Sequence, residues 1–591
     1  MTTEGQSRPQ RAMSDQWLVF ALWLFVSATM IWFSRSSIAQ RYFPDPDDSM
    51  RLLQVRDWLA GQSWFDVTQY RLNPPTGVHM HWSRLVDVPL AAVILLVRPF
   101  LGQTAAETAA LVVVPLATLL IAMLLMHRIA SRLMDSRSGP LLAVLAMSVS
   151  LGTLQQMRPM RIDHHGWQIV AALTTILAIL DDRPVRSGII AGIAMALWMN
   201  ISIEGLPFAA AVGAWLALQW LLRGSANVRL TAYVSALAVT SVLVFGLTHH
   251  PSTWLYQPHD VITIAHLTGF SVAALGCLVA VGSDVAETSG RLARLVAVGV
   301  GAIAAMFLVD PHWMQGPFDS LDPLVRDMWY LRVDEGLPIW RLEPSQIGVA
   351  LAQPIVGLVG ALLAIRTSSE IVRARWIAYA FLLCASTLAS VFVVRAATTG
   401  SLISLPGTAY LCIFALKRAR AVSMMPARVL ATFASLCIIA PAYAVPVSVT
   451  TPDKRVERAV RSMDECLGQA ELGKLSSLPT GTFAAPLDIT PDILVQTPHR
   501  GVASGHHRGS EAMRDVIRLF VSTPEIGHQI VVQRHVDYVF ICPGAPETVR
   551  YAYHGPHGLA ALLRANRPPD WLQPIHIPGL RAIRAWRVRK V

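Results

Sequence analysis

The sequence predicts an α-helical polytopic membrane protein with about 13 transmembrane helices, followed by a C-terminal α/β domain outside the membrane. Three observations carry that expectation. Of the 591 residues, 53% are apolar and only 15% are charged, with a mean hydropathy of +0.46, whereas soluble domains carry about 25% charged residues. The apolar runs are continuous rather than alternating, so they read as spanning helices and not as barrel strands. Hydropathy then falls from about residue 448 onward, where short strand-like runs alternate with helix-like ones.

The first span, 16–34, lacks a small-residue cleavage site and is too long for the core of a secretion signal, so it reads as a retained anchor. A long outside loop, 36–106, follows. Its stretch 88–102 is apolar but short, and Arg98 and Pro99 interrupt it, which predicts an interfacial or re-entrant helix rather than a span. Further spans are expected at 107–127, 140–156, 167–181, 187–201, 205–222, 231–248, 262–282, 292–309, 346–365, 376–394, 402–416 and 428–446. A second long outside loop covers 310–345. The division is therefore a transmembrane domain, 1–447, and an extracytoplasmic α/β domain, 448–591. In the latter, TFAAPLDI, QIVVQ and YVFICP read as strands, and SEAMRDVIRLFV and HGLAALLRA as helices.

A net charge of +11 would suit a nucleic-acid partner, but its placement excludes that reading. Basic residues recur in short loops after every second span: Arg128, Arg132 and Arg137, then Arg183 and Arg186, Arg291 and Arg294, Arg373 and Arg375, and Lys417, Arg418 and Arg420. That is the positive-inside pattern. It sets the N-terminus in the cytoplasm. With an odd number of spans, the C-terminal domain lies on the periplasmic side of an inner or plasma membrane. Cys277, Cys384, Cys412 and Cys437 sit in apolar runs and read as small core residues. Cys466 and Cys542 lie in the C-terminal domain, where an oxidising compartment permits a disulfide between them.

The same topology collects the unusual polar residues on the outer side. RYFPDPDDSMR supplies Asp45, Asp47, Asp48 and Arg51; MRPMRIDHHG supplies Arg158, Arg161, Asp163, His164 and His165. Glu204 lies at an outer turn, Asp334 and Glu335 lie in the long second loop, and Arg395 ends the eleventh span. Each has a bland reading. Asp45 is a good helix N-cap, Pro46 suits the first helical position, and two acids in the first turn complement the helix dipole. Arg395 is placed to snorkel to headgroups, and acids in a long loop are ordinary. The pairs His249–His250 and His506–His507 have no neighbouring spacing that builds a zinc site, so neither is expected to bind metal.

Taken together, these residues resemble a known family. DPDDSMR looks like the Asp-Pro-x-x-x-x-Arg signature after the first span of STT3-type oligosaccharyltransferase subunits, and PPTGVHMHWSRL is similar to the family's Pro-x-Gly and Trp-containing stretch. RPMRIDHHGWQIV resembles its Arg followed by Asp-x-Glu-Gly; RVDEGLPIW, its Ser-Val-Ser-Glu segment; FVVRAAT, its Val-Arg at the end of the eleventh span. The resemblance covers roughly the whole chain, in order and in sidedness. It implies a GT-C-type fold and transfer of a sugar or oligosaccharide from a polyprenyl-linked phosphate or diphosphate. Asp45, Asp163 and Glu335 would be the catalytic carboxylates, converging with His165 on one Mn or Mg ion. Arg395, Arg161 and Arg51 would bind the donor phosphate, with Asp47, Asp48, Arg158, His164 and Asp334 in support.

Two departures bear on the chemistry. His165 stands where the family has its second acid, which lowers the negative charge of the site and leaves the need for a metal open. The Trp-Trp-Asp-Tyr-Gly block that reads the Asn-x-Ser/Thr acceptor does not occur; HVDYVF keeps only Asp537-Tyr538. TPHRGVASGHHRGSEAMRD, dense in His and Arg, is a candidate lining of the donor or acceptor face. One alternative is a monosaccharide transferase using a polyprenyl monophosphate donor and modifying lipid, glycan or protein. Another, of a different class, is a transporter or flippase. Transporters tend to carry polar residues at mid-membrane in repeated halves, and here they favour the outer rim with no repeat.

Overall fold

The fold, given by a computed structural model, is described for residues 8–224, 227–256, 258–281, 287–316, 318–319, 321–439 and 466–589. The helices up to residue 437 are α1 (Arg8–Gln40), α2 (Pro46–Leu59), α3 (Asp87–Leu133), α4 (Ser138–Ser148), α5 (Leu151–Gln156), α6 (His165–Ile179), α7 (Pro184–Ile201), α8 (Leu206–Arg223) and α9 (Asn227–Thr248). After these come α10 (Ile264–Val281), α11 (Thr288–Val309), α12 (Pro323–Met328), α13 (Pro344–Thr367), α14 (Glu370–Phe392), α15 (Ala396–Ile403), α16 (Leu405–Arg420) and α17 (Met425–Cys437). Among the described residues nine of them are long and apolar enough to cross a membrane, or ten if α15 and α16, bent by 42°, form one broken span. The chain is a multi-pass membrane protein.

Against the expectation of about 13 spans, the runs at 140–156 and 167–181 carry the shorter apolar helices α4 and α6, α4 giving way to α5 after a break at Val149–Ser150; the run at 428–446 carries α17 as far as residue 437, and its part from 440 lies outside the described residues. The domain boundary expected at 447 lies within 440–465, outside the described residues. The stretch 88–102 joins the following span in α3, but Gly102 breaks the helix with φ +77° and ψ 172°, a backbone that glycine adopts without steric cost. Before that break Leu90, Ala91 and Ile94 pack on Leu52 and Val55 of α2, while Leu96, Phe100 and Leu101 are exposed.

In lipid, helices associate by close packing of small residues rather than by expulsion of water. Two pairs do this here. Gly188 and Gly192 of α7 lie against α9, where a Cβ would meet the carbonyl oxygens of Arg229 and Tyr233 at 2.5 Å in each case. A Cβ on Gly360 of α13 would meet the Gly407 carbonyl of α16 at 1.9 Å.

The C-terminal region carries a five-stranded sheet in the order β4-β3-β5-β7-β6, from β3 (Thr482–Ala484), β4 (Arg500–Gly501), β5 (Tyr538–Ile541), β6 (Leu572–Pro574) and β7 (Arg584–Val588). Strands β4, β3 and β5 are parallel, and β7 and β6 continue antiparallel. Helices cover both faces: Val516 and Phe520 of Ser510–Val521 with Val539 and Ile541 on one, Ile489 and Ile493 with Phe483 and Phe540 on the other. TFA and YVFI are strands, whereas QIVVQ lies in a helix, Pro524–Gln533. Pro524 opens that helix, and Gly527, Ile530 and Val531 at helical spacing form its buried face, which overrides the β-preference of the Ile-Val-Val run. Cys466 and Cys542 form a disulfide.

A small hairpin of β1 (Thr68–Gln69) and β2 (Val78–His79) docks the first long loop on this region. Leu72 pairs with Gly501 at the sheet edge, and the Arg71 guanidinium donates to the carbonyls of Leu494 and His499. The C-terminal lobe also meets the end of α1 and the start of α2, through Gln496 on the Arg41 carbonyl and Ser49 on Asp492.

Candidate active site

Asp45 ends the extended segment after α1 and caps α2, its carboxylate accepting from the Asp47 N–H at 3.0 Å. Pro46 at the first helical position fixes the direction in which the next acids point. Asp48, fully buried, accepts from the backbone N–H groups of Ile162 and Asp163 at 2.8 and 2.9 Å and from Arg161 at 3.0 Å. It is the post on which the 157–164 loop hangs. Arg161 also reaches Asp45 at 3.0 Å and Asp163 at 3.6 Å, so the two acidic segments meet on one guanidinium. Burial raises the Asp48 carboxyl to about 7 against the pull of Arg161. In the crowded rim, desolvation lifts Asp45 to about 6, opposed by Arg161 and assisted by Asp47 and Asp163.

Asp163 is buried beside Arg161, His164 and His165. Burial alone would raise its carboxyl, but His164, His165 and Arg161 hold it well below the usual range. Its Oδ1 accepts from the His164 N–H at 2.6 Å and contacts the His164 ring. Its Oδ2 is buried without a hydrogen-bond partner and lies 3.2 Å from His165 Nε2. The tautomer of His165 follows from its neighbours. Glu204 is acceptor-only, so the Gln168 amide turns its NH2 toward it at 3.2 Å and its carbonyl Oε1 toward His165 Nδ1 at 3.0 Å. Nδ1 then carries a proton, and Nε2 faces the orphaned Asp163 Oδ2 at 3.2 Å. A bridging proton or a bound cation would satisfy both atoms.

The hydrogen-bond chain continues. Arg395 donates to Glu204 at 2.8 Å and to Glu335 at 2.5 Å, and its own N–H is held by the Glu335 carbonyl at 2.8 Å. A cavity of about 40 Å³ adjoins it, lined by Gln168, Glu204, Arg395 and the apolar Trp198 and Phe208. Asp334 accepts from Gln346, Arg158 is exposed, and half-exposed Asp47 faces His506 at 3.4 Å.

The geometry revises several expectations. Glu335 does not gather with Asp163; among the described residues, that carboxylate groups with His164 and His165, and Glu335 joins it only through Arg395, Glu204, Gln168 and His165. Arg51, expected at a donor phosphate, is fully buried, bonded to Asp87 at 2.9 Å, 3.6 Å from Asp163 and stacked over Trp82. Its burial among Asp87, Asp163 and Trp82 makes it a strut of this region. His507, read as no ligand, lies with His81 and Asp260 in a second group able to hold a metal.

Other residues carried no sequence signal. Glu107 ties Arg41 and Arg56 together across three helices, and Asp492 accepts from Ser49 at 2.7 Å from the far end of the chain. Gln168 was legible in principle, standing one helical turn after His165.

No family model matches the sequence, and no curated protein matches it. Among solved structures, the chain is similar to the archaeal oligosaccharyltransferase AglB from Archaeoglobus fulgidus in complex with an inhibitory peptide and a dolichol-phosphate. The TM-score is 0.66 at 13% identity, over 95% of this chain and 73% of that one. It is also similar to the Archaeoglobus fulgidus oligosaccharyltransferase in complex with Zn and sulfate, at 0.58 and 14% over 89% and 68% of the two chains. A third structure, tethered to an acceptor peptide containing the NVT sequon, gives 0.57 and 13% over 97% and 74%. The fold is STT3-like.

Proposed function

We propose that this protein is a GT-C-type membrane glycosyltransferase that moves a sugar or oligosaccharide from a polyprenyl-linked phosphate or diphosphate to an acceptor at the extracytoplasmic face. The observation that carries the reading is the unpartnered Asp163 Oδ2 opposite His165 Nε2, in an STT3-like fold. The solved relatives' dolichol-phosphate and peptide ligands support a lipid-linked donor.

The residues present fit a divalent cation: Asp163 and His165 would hold it, with His164 beside them. The imidazole favours Mn²⁺ over Mg²⁺. What such an ion supplies when bound is neutralisation of the charge that develops on the departing phosphate. The remaining work falls to the chain's own groups. Arg395, anchored by Glu204, takes a phosphate oxygen once Glu335 yields its place, and Glu335 is the more exposed of the two acids, with 45% of its side chain accessible against 33%. Asp45, at the lip, orients the acceptor and receives its proton as the glycosyl–phosphate bond breaks and the bond to the acceptor forms. The products are the glycosylated acceptor and the lipid phosphate. Without the Trp-Trp-Asp-Tyr-Gly block the sequence gives no support to sequon asparagine as the acceptor, which is a glycan, a lipid or a protein.

The test is mass-spectrometric comparison of lipid-linked sugars and glycans in cells carrying the wild-type chain or Asp163→Asn. Accumulation of one lipid-linked sugar, with loss of one glycan, is the expected result. Identical profiles would reject the reading.

A further inference from the structure

We propose that His81, Asp260 and His507 form a second divalent-cation site, rich in imidazole, that fastens the C-terminal lobe to the connection between α9 and α10. One ligand atom from each residue lies within 4.8 Å of the other two. His507 Nε2 is 2.7 Å from Asp260 Oδ2, and the rings of His81 and His507 face each other with centroids 4.8 Å apart. The three residues come from three distant segments, so no local Cys or His spacing announces the site.

Two imidazoles and a carboxylate are the ligand set of an open zinc-type centre, three protein ligands with one position left for water. Arg508 grips the same carboxylate with two nitrogens at 2.8 and 2.7 Å and donates to the Met80 carbonyl at 3.1 Å. That grip orients Asp260 from behind, as outer-shell partners of metal ligands do. It also offsets the carboxylate's charge. A hard, strongly hydrated ion such as Mg²⁺ gains little from a neutral site, whereas Zn²⁺ is held by the imidazole lone pairs. The site shares no residue with the Asp163 group; His506, next to His507, lies 3.4 Å from Asp47 of the same rim.

The inference stands whether or not the transfer reaction above is correct. Full-length protein in detergent, carrying Asp163→Asn to remove the other group, is stripped with chelator and titrated with zinc chloride. One Zn²⁺ per chain is expected, with affinity lowered at least tenfold by His81→Ala and by His507→Ala, and with a zinc-induced rise in melting temperature that both variants lose. His81→Gln, which keeps a polar side chain of similar length, guards against misfolding as the cause. No zinc uptake by the stripped protein, or equal uptake by the histidine variants, would overturn the proposal and leave Asp260 as an ion-pair partner alone.

Discussion

Asp45 combines two tasks that a single substitution can separate. Asparagine caps a helix about as well as aspartate, whereas alanine costs roughly 1 kcal/mol at such a position. Asp45→Asn is therefore expected to melt within a few degrees of wild type while transfer falls by at least about 10²-fold, the usual worth of a positioned proton acceptor. Near-normal transfer by this variant, measured on purified protein, would return Asp45 to a purely structural role. A second residue-scale prediction concerns Asp492. Its burial beside Ser49, with Asp45 and Asp48 near, raises its carboxyl to about 8. A carboxyl whose pKa is raised by folding holds its proton more tightly in the folded state. Its contribution is thus complete below about pH 4 and is lost as pH climbs through about 8. Asp492→Asn should flatten that decline, melting about 2–4 °C above wild type at pH 9 and no higher at pH 5. Parallel melting curves against pH for the two proteins would contradict it.

At the scale of elements, the contact of α13 with α16 leaves no room for a side chain. Gly360→Ala places a Cβ against the Gly407 carbonyl, and overpacking of this kind costs about 1–3 kcal/mol. The variant is expected to insert but to melt several degrees lower, whereas Gly246→Ala, with open space around it, changes little. Equal melting of the two variants would show that the helices do not pack so closely. The elements also show where the sequence was legible. Long spans were, because roughly 20 apolar residues admit one reading. The shorter helices were legible in place but not in length: α6 runs only from His165 to Ile179, because residues 157–164 are spent in the loop that Asp48 and Arg161 hold. QIVVQ misled because five residues carry a β-preference but no record of the proline-started helix around them.

Across the whole molecule, the acids of the first two outside regions were readable because each sits in a compact motif, DPDD and RIDHH. Their common partner, Arg161, stands among them in the second motif. What sequence order could not show was the indirect placement of Glu335, reached through four intervening side chains, or the contribution of the C-terminal lobe. Ser49–Asp492, Leu72–Gly501 and His507–Asp260 join segments hundreds of residues apart, and only the folded chain brings them together. That lobe meets the start of α2 through Ser49–Asp492 and His506–Asp47, beside the rim on which the transfer reading rests.

The central claim is that Asp163 and its neighbours cleave a glycosyl–phosphate bond on a membrane-anchored donor. It is tested most directly in proteoliposomes doped with lipid-linked sugars from the source membrane and supplied with a total extract of the same cells as the source of acceptor, following release of polyprenyl phosphate or diphosphate by mass spectrometry. Wild-type protein is predicted to release it, to stop after chelation and to resume with Mn²⁺, while Asp163→Asn stays inactive throughout. Release at the wild-type rate by Asp163→Asn, or the absence of any release by the wild type from the complete lipid extract, would contradict the account.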